Sequence, residues 1–368
     1  MKRLIVLMLV TMLIVVGCSS STSDPSGEKQ VYRILYSGEI TTLNYLVTSS
    51  TSEFGLAANL VDSLIDYDKY GVAQPALATE WNSSDDGLVW TLKIREGVKW
   101  VTHEGEEYGE VTAQDWVDAA KYLLNPNNES KTANIFYSVI KNAEEYYNGE
   151  ISDFEQVGVK ALSDYELQYT LKKPTPYFLS MLNYVCFLPV NGAFLEEVGD
   201  RFGTDNTNIL YNGAYIMEIW EPQTRRVLVK NEDYWDNENV FIDEIRYTYN
   251  QEAATLAPEL FLRGEVDYAD ISAALVEEWM SDPEKADVIR PSRTGYYSYF
   301  YALNFDPKFP EEYEPDNWKI AVNNRNFRKS LFHALDRVSA MTTSEAFNPE
   351  SRLLNTITPR NFVDLDGL

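Results

Sequence analysis

The sequence predicts an α/β or α+β chain of roughly two or three domains. Three observations carry this. Short runs alternate apolar and polar residues with the period of a half-buried strand, as at Leu88, Trp90, Leu92 and Ile94. Between them lie stretches whose apolar residues recur at helical spacing behind a capping residue, as at Trp116, Val117, Ala120, Leu123 and Leu124. The length of 368 residues, 45% of them hydrophobic, is enough for more than one core.

The elements follow in chain order. Lys2 and Arg3 precede an almost wholly apolar run from Leu4 to Val16, and Gly17-Cys18 leads into a polar Ser/Thr stretch. A charged start, a short apolar centre and small residues at the exit describe an export signal. The run is too short to cross a bilayer comfortably, since a spanning helix needs roughly 20 apolar residues. Val15-Val16-Gly17-Cys18 resembles the bacterial lipoprotein box, in which the cysteine is lipidated and becomes the new N-terminus. Val15 and Val16 depart from its usual leucine and small residue, and the alternative is an ordinary secreted protein cut near Gly17. Both readings place the body of the protein outside the cytoplasm. Residues 1–17 are expected to be the signal peptide, and residues 18–30, rich in Ser with Pro25 and Gly27, a flexible tether.

Val31–Tyr36 is a first strand, and residues 37–50, without period and rich in Ser and Thr, are loop. Ser50 and Glu53 have capping-box spacing, and Phe54, Ala57, Leu60, Val61, Leu64 and Ile65 continue at helical intervals. The strand ending at Ile94 turns at Glu96-Gly97, and residues 98–101 return. Thr112 and Asp115 form a second capping box, and Asn125-Pro126 stops the helix it opens. Residues 157–161 and 165–171 make a hairpin around Ser163-Asp164. Pro174 and Pro176 bracket Thr175 in an extended stretch suited to a crossing between domains. Residues 215–220 and 226–230 form another hairpin, Ile245, Tyr247 and Tyr249 alternate as a strand, and a helix follows around residues 255–263. Residues 294–305 read as an aromatic strand, with Tyr297, Tyr299 and Tyr301 on one face and Tyr296 and Phe300 on the other. Asn326 is expected to cap a last helix whose apolar face is Phe327, Leu331, Ala334, Leu335 and Val338.

The balance of 57 acidic against 31 basic residues, net −26, argues against nucleic-acid phosphates and anionic lipid surfaces as ligands. It predicts a chain that stays apart from its copies, a monomer. With Cys18 committed to the lipid anchor, Cys186 is alone and has no internal disulfide partner. Its apolar surroundings, Met181-Leu-Asn-Tyr-Val-Cys-Phe-Leu, predict a buried inert thiol.

Marks of catalysis are few. The two histidines, His103 and His333, are too few for a histidine-rich metal site. His103 lies in an acidic loop and His333 on the last helix, both read as solvated or packed residues. No phosphate-cradling glycine loop and no nucleophile elbow is present. The runs Asp85-Asp86, Glu106-Glu107 and Glu144-Glu145 are expected on solvated faces. Asp364-Leu-Asp-Gly lacks the oxygen spacing and distal glutamate of a calcium loop. No metal and no cofactor is expected. The 25 tyrosines are more suggestive, since tyrosine supplies contact area and a hydroxyl at little conformational cost.

Several blocks in order resemble the large extracellular solute-binding proteins of peptide and nickel transporters, family 5, especially the oligopeptide-binding lipoproteins. They are Trp90-Thr-Leu-Lys-Ile-Arg-Glu-Gly-Val-Lys-Trp100 with Val111-Thr-Ala-Gln-Asp115, and the Pro-Thr-Pro-Tyr-Phe ending at Phe178. Asn212-Gly-Ala-Tyr215, Asn231-Glu-Asp-Tyr-Trp-Asp236, Arg263-Gly-Glu-Val-Asp267 and Asn326-Phe-Arg-Lys-Ser-Leu-Phe-His-Ala-Leu-Asp-Arg337 follow. Residues 101–110 lengthen a loop that the family keeps short, an insertion expected to be cosmetic.

The resemblance implies an α/β type II periplasmic-binding-protein fold, two lobes with an extra domain. Residues 31–65 and 174–266 would form domain I, residues 66–173 domain II and residues 267–368 a partial domain III. Family members continue beyond the last helix seen here, so the third domain is expected to be incomplete. The implied function is capture of oligopeptides, held mostly by their backbone, for delivery to ABC transporter permease subunits. Ser49, Ser50 and Thr51 match the loop whose backbone meets the peptide, Tyr137 a tyrosine facing the cleft, and Tyr299, Tyr301 and Asn304 the third-domain strand lining it. Within the family the alternatives are a nickel chelate, haem, dipeptide or oligosaccharide ligand. Outside it, the alternative is a secreted glycoside hydrolase with an acidic pair and Trp platforms. The expectation is a binding protein and not an enzyme.

Overall fold

Strand β1, Val31–Tyr36, lies parallel to a strand more than two hundred residues later, β12, Glu244–Tyr249. The computed structural model describes residues 29–290, 292, 298–343 and 348–358. Cys18 therefore lies outside the described residues, as do Tyr296 and Tyr297. Two compact units divide the chain, Met1–Ala253 with Leu260–Tyr268, and Ala254–Glu259 with Ala269–Leu368.

The first unit holds two four-stranded sheets. One has the order β1-β12-β11-β10, with β10 Tyr215–Glu221 and β11 Arg225–Lys230 forming the expected antiparallel hairpin. A small hairpin, β2 Ile65–Tyr67 and β3 Ala73–Pro75, leads to the second sheet. That sheet has the order β4-β5-β9-β8, from β4 Ala78–Ser83, β5 Val89–Ile94, β8 Val159–Ser163 and β9 Glu166–Thr170. Parallel pairing of β1 and β12 needs a long crossover, and the whole second sheet is inserted in it.

The return after Ile94 differs from expectation. Strand β6, Lys99–Val101, pairs with β7, Glu107–Glu110, and not with β5. The inserted residues 101–110 therefore build a hairpin arm. It is tied down by Tyr108, whose hydroxyl donates to Glu197 at 2.9 Å and whose ring meets Phe194 edge-on. A tight turn at Glu96-Gly97 could have paired β6 back on β5, but β9 already occupies that edge of β5.

One hydrophobic core runs through this unit, including Leu46, Leu60, Leu92, Trp100, Trp116, Phe136, Tyr169, Phe178, Phe187 and Tyr211. Buried indoles need acceptors. Trp116 Nε1 donates to the Phe187 carbonyl and Trp100 Nε1 to the Asp115 carboxylate, each at 2.9 Å. Asp115 also accepts the Thr112 N–H at 2.9 Å, so half of the expected capping box forms at the start of helix Gln114–Leu123. Burial pushes the Asp115 carboxyl up to about 7 against the pull of those donors. Cys186 is 2% exposed, and burial holds its thiol well above the usual range, as its surroundings predict.

The resembling blocks meet at a joint between the sheets. Trp235 Nε1 donates to Asp62 at 2.7 Å, Asp62 N–H donates to Asn212, and Asn231 Nδ2 donates to the Gly213 carbonyl. Arg95, at the end of β5, lies over the Trp235 ring at 3.7 Å. Residues 29 and 30 do not belong to a free tether. Lys29 pairs with Glu244, and the Gln30 N–H donates to Asp243 at 2.7 Å.

The second unit is helical among its described residues, with Ala273–Ser281, Pro283–Ala286, Pro315–Asn323, Arg325–Ala334 and Arg337–Thr342. The expected strand over residues 294–305 is absent from its described part, residues 298–305. No strand among the described residues pairs with it, and an unpaired ladder does not hold a strand. The helix expected from Asn326 is capped instead by Asn324, whose side chain accepts the Asn326 and Phe327 N–H groups. It ends at Ala334, because Asp336 caps a new helix by accepting the Ser339 N–H, and Val338 falls on that one. Leu331 and Leu335, expected on a core face, are 40% and 42% exposed.

Candidate ligand-binding site

Residues 37–50 carry no hydrophobic period, yet the middle of the segment is folded into the core. Leu43, Asn44, Tyr45, Leu46 and Thr48 are all buried. A buried loop must find partners for its backbone, and this one finds them across the unit. The Leu43 N–H donates to the Gly203 carbonyl at 2.7 Å, and the Asn44 side chain to the Tyr122 hydroxyl at 2.8 Å. The Tyr45 hydroxyl donates to the Pro189 carbonyl at 2.7 Å. Gly203 makes the approach possible, because a Cβ there would stand 2.2 Å from the Asn44 nitrogen and the residue sits at φ +71°.

The segment delivers Ser49, Ser50 and Thr51 to the start of helix Thr51–Leu60. Ser49 and Thr51 are exposed and Ser50 half-buried. The capping box expected of Ser50 and Glu53 does not form, as the Ser50 side chain makes no cap bond. Glu53, 5% exposed, turns the other way. Its Oε1 accepts the Thr41 N–H at 2.7 Å, the Thr41 hydroxyl at 2.9 Å and the Thr42 N–H at 3.3 Å. Its Oε2 accepts the Thr48 hydroxyl. The Thr48 oxygen in turn accepts the Ser50 N–H at 3.0 Å. A buried carboxylate is costly unless hydrogen-bonded, and these donors are what make Glu53 tolerable in the core. Sequence reasoning missed this role, although the Ser50–Glu53 spacing was its visible trace.

Tyr137 belongs to the same unit. It closes helix Ala133–Tyr137, half-buried, with its ring 5.2 Å from that of Tyr147. The chain entering that helix is bonded to the loop, Ser130 Oγ to the Leu46 carbonyl at 2.6 Å and Lys131 N–H to the Val47 carbonyl at 3.0 Å. The structure thus links the Ser49–Thr51 segment to the helix of Tyr137. Tyr299, Tyr301 and Asn304 lie in the second unit. Tyr299 is 93% and Tyr301 79% exposed, while Asn304 accepts the Trp318 indole N–H at its carbonyl.

Chemistry for catalysis or metal binding is sparse. Among the described residues no group of three or more His, Cys, Asp and Glu side chains is placed to hold a metal. His333 is exposed, and His103 is half-buried, 3.9 Å from Glu104. Asp85, Asp86, Glu106, Glu107 and Glu144 are exposed as expected, whereas Glu145 is half-buried with one carboxylate oxygen shielded from solvent. Among the described residues no helix is long and apolar enough to cross a membrane. The arrangement suits display of backbone and hydroxyl groups from a braced loop, that is, binding.

Comparison with known proteins agrees. Residues 72–362 match the family Bacterial extracellular solute-binding proteins, family 5 Middle. The chain is 33% identical over 370 residues to the oligopeptide-binding protein SarA of Streptococcus gordonii, covering 96% of this chain and 55% of SarA. It is 35% identical over 358 residues to the oligopeptide-binding protein AliB of Streptococcus pneumoniae, covering 95% and 54%. Among solved structures, OppA of Listeria monocytogenes bound to peptide superposes with a TM-score of 0.63 at 28% identity, over 69% of this chain and 49% of that one. The chain spans about half the length of the curated relatives it matches.

Proposed function

We propose, from the premise that this chain belongs to the bacterial extracellular solute-binding proteins of family 5, that it captures oligopeptides outside the cytoplasm and passes them to the permease of an ABC importer. That family consists of solute-binding proteins with a transport role. The observation that carries the peptide reading is the buried segment before helix Thr51–Leu60. It brings Ser49 and Thr51 to the surface on either side of Ser50, whose N–H is fixed by Thr48. A peptide bound through its backbone needs such fixed main-chain partners, while its side chains are left in wet pockets.

In this reading Tyr137, Tyr299, Tyr301 and Asn304 supply the remaining contacts. Residues 31–65 and 174–266 act as domain I, residues 66–173 as domain II, and the chain from residue 267 as part of domain III. Closure runs about the Pro174–Pro176 crossing, and binding energy shifts the balance between open and closed forms. A lipid on Cys18 holds a monomer to the membrane surface, and no catalysis takes place.

Native mass spectrometry of protein purified from cells tests this. The expected result is a ladder of co-purified peptides lost on denaturation. Sugars, haem or metal chelates in their place would overturn the peptide reading. Tyr299→Ala is expected to lower peptide affinity with the melting temperature unchanged, and unchanged affinity would remove Tyr299 from the site.

A further inference from the structure

A glutamate three residues after a helix cap ordinarily folds back onto the cap's own N–H. Glu53 occupies that place and does something else. Its carboxylate joins the two ends of the segment that leads into the helix. Oε1 holds Thr41 and Thr42 at the beginning, and Oε2 holds Thr48 near the end. Thr48 then fixes Ser50 by accepting its N–H at 3.0 Å, and Thr42 fixes Asn44 in the same way at 2.9 Å. Glu53 is 5% exposed and borders a small cavity with Leu43, Tyr45, Ala57, Leu60 and Ile209, so these bonds work with little competition from water.

The middle of the segment has other supports. Leu43 is held by Gly203, Tyr45 by Pro189, and Leu46 by Ser130. Glu53 is what ties the beginning to the end. Its loss would release the Thr41 and Thr42 N–H groups and the Thr48 hydroxyl, while the Thr42 hydroxyl stays on the Gly203 carbonyl and the central side chains stay packed.

We propose that Glu53 is a positioning residue for the ligand. Through Thr48, which holds the Ser50 N–H, it sets the conformation in which the flanking Ser49 and Thr51 present their main chain, and so acts on affinity without touching the peptide. The proposal rests on the reading of that segment as ligand-facing.

The test uses the full chain as wild type, Glu53→Ala, Glu53→Gln, Thr48→Val and, as a control, Leu92→Ala in the buried face of β5 in the second sheet. Amide hydrogen exchange of residues 41–50 is measured without ligand. Uptake of a random pentapeptide mixture is then read by native mass spectrometry. Glu53→Ala is expected to speed exchange at Thr41, Thr42 and Ser50 and weaken uptake, each roughly tenfold, the scale of losing about one net hydrogen bond. Glu53→Gln keeps an acceptor oxygen and is expected to restore most of both. Thr48→Val keeps shape and loses the relay, so exchange at Ser50 and uptake should change while Thr41 and Thr42 stay protected. It also decides the matter if Glu53→Ala does not fold. Leu92→Ala is expected to lower the melting temperature with exchange of residues 41–50 and uptake near wild type.

Exchange within about twofold of wild type in Glu53→Ala and Thr48→Val would overturn the anchor. Faster exchange with normal uptake would overturn the role of Glu53 alone. A wild-type chain that takes up no pentapeptide would overturn the parent reading and the ligand role with it.

Discussion

Asp267 grips Arg33 with both carboxylate oxygens. Arg33 Nη2 donates to Oδ1 and Nε to Oδ2, each at 2.9 Å. The Arg33 N–H also reaches Oδ2 at 2.8 Å, and the Asp267 N–H returns a bond to the Arg33 carbonyl at 2.9 Å. A residue of the Arg263-Gly-Glu-Val-Asp267 block thereby closes the outer edge of β1. Forked pairs of this kind are the stronger ion pairs, although solvent screens one as exposed as this.

Asp267→Asn is expected to cost about 1 kcal/mol in urea denaturation at neutral pH. The bonds to Arg33 hold the Asp267 carboxyl below its ordinary value. Its contribution is therefore fully present above the unfolded carboxylate range and is lost as pH falls through the lowered value. Wild type and variant should converge in acid, and a difference that persists at low pH would assign the effect to packing.

Asp115 has the opposite sign. Burial raises its carboxyl to about 7, so the folded chain holds a proton there that the unfolded chain gives up near pH 4. Stability from this group falls as pH rises between those values, with a slope of at most about 1.4 kcal/mol per pH unit. Asp115→Asn keeps an acceptor for Trp100 and should flatten that part of the stability curve. Parallel curves for the two chains between pH 4 and 7 would show that Asp115 does not titrate there.

Gly203→Ala should be among the most damaging small substitutions. The added methyl would fall 2.2 Å from the Asn44 nitrogen at a residue with φ +71°. Left-handed strain alone costs about 1–3 kcal/mol, and the collision adds to it. The expected outcome is a loss of that size or more by thermal unfolding, with faster amide exchange at Leu43 and Asn44. An unchanged melting temperature would mean that the loop can move aside.

Cys186 should be silent to thiol reagents in the folded protein. It is 2% exposed and its thiol is held protonated by burial. Peptide mapping after treatment with an alkylating reagent is expected to find Cys186 modified only in denaturant. Rapid labelling of native protein would place the Met181–Leu188 run at the surface.

Strands and helices with a strong period were legible before any coordinates. The β10–β11 and β8–β9 hairpins, β1, β5 and β12 lie where alternation placed them, within about two residues. The buried thiol at Cys186 was legible too, because a run of apolar neighbours fixes burial whatever the topology. The candidate site was legible only as a place in the chain. Ser49, Ser50 and Thr51 could be singled out by resemblance, but nothing in a Ser/Thr-rich stretch announces that its neighbours Leu43, Tyr45 and Leu46 are buried.

Periodicity and composition are properties of neighbouring residues, so the local elements, the acidic balance and the order of the family blocks are readable along the chain. Which partner each group took depended on the folded arrangement. Glu53 had a cap within reach and bonded Thr41 and Thr48 instead; Asn324 capped a helix that Asn326 could have started; β6 turned to β7 because β9 already lay along β5. In each case more than one local partner was within reach, and the choice falls to whichever donors, acceptors or strand edges the rest of the chain brings within about 3 Å.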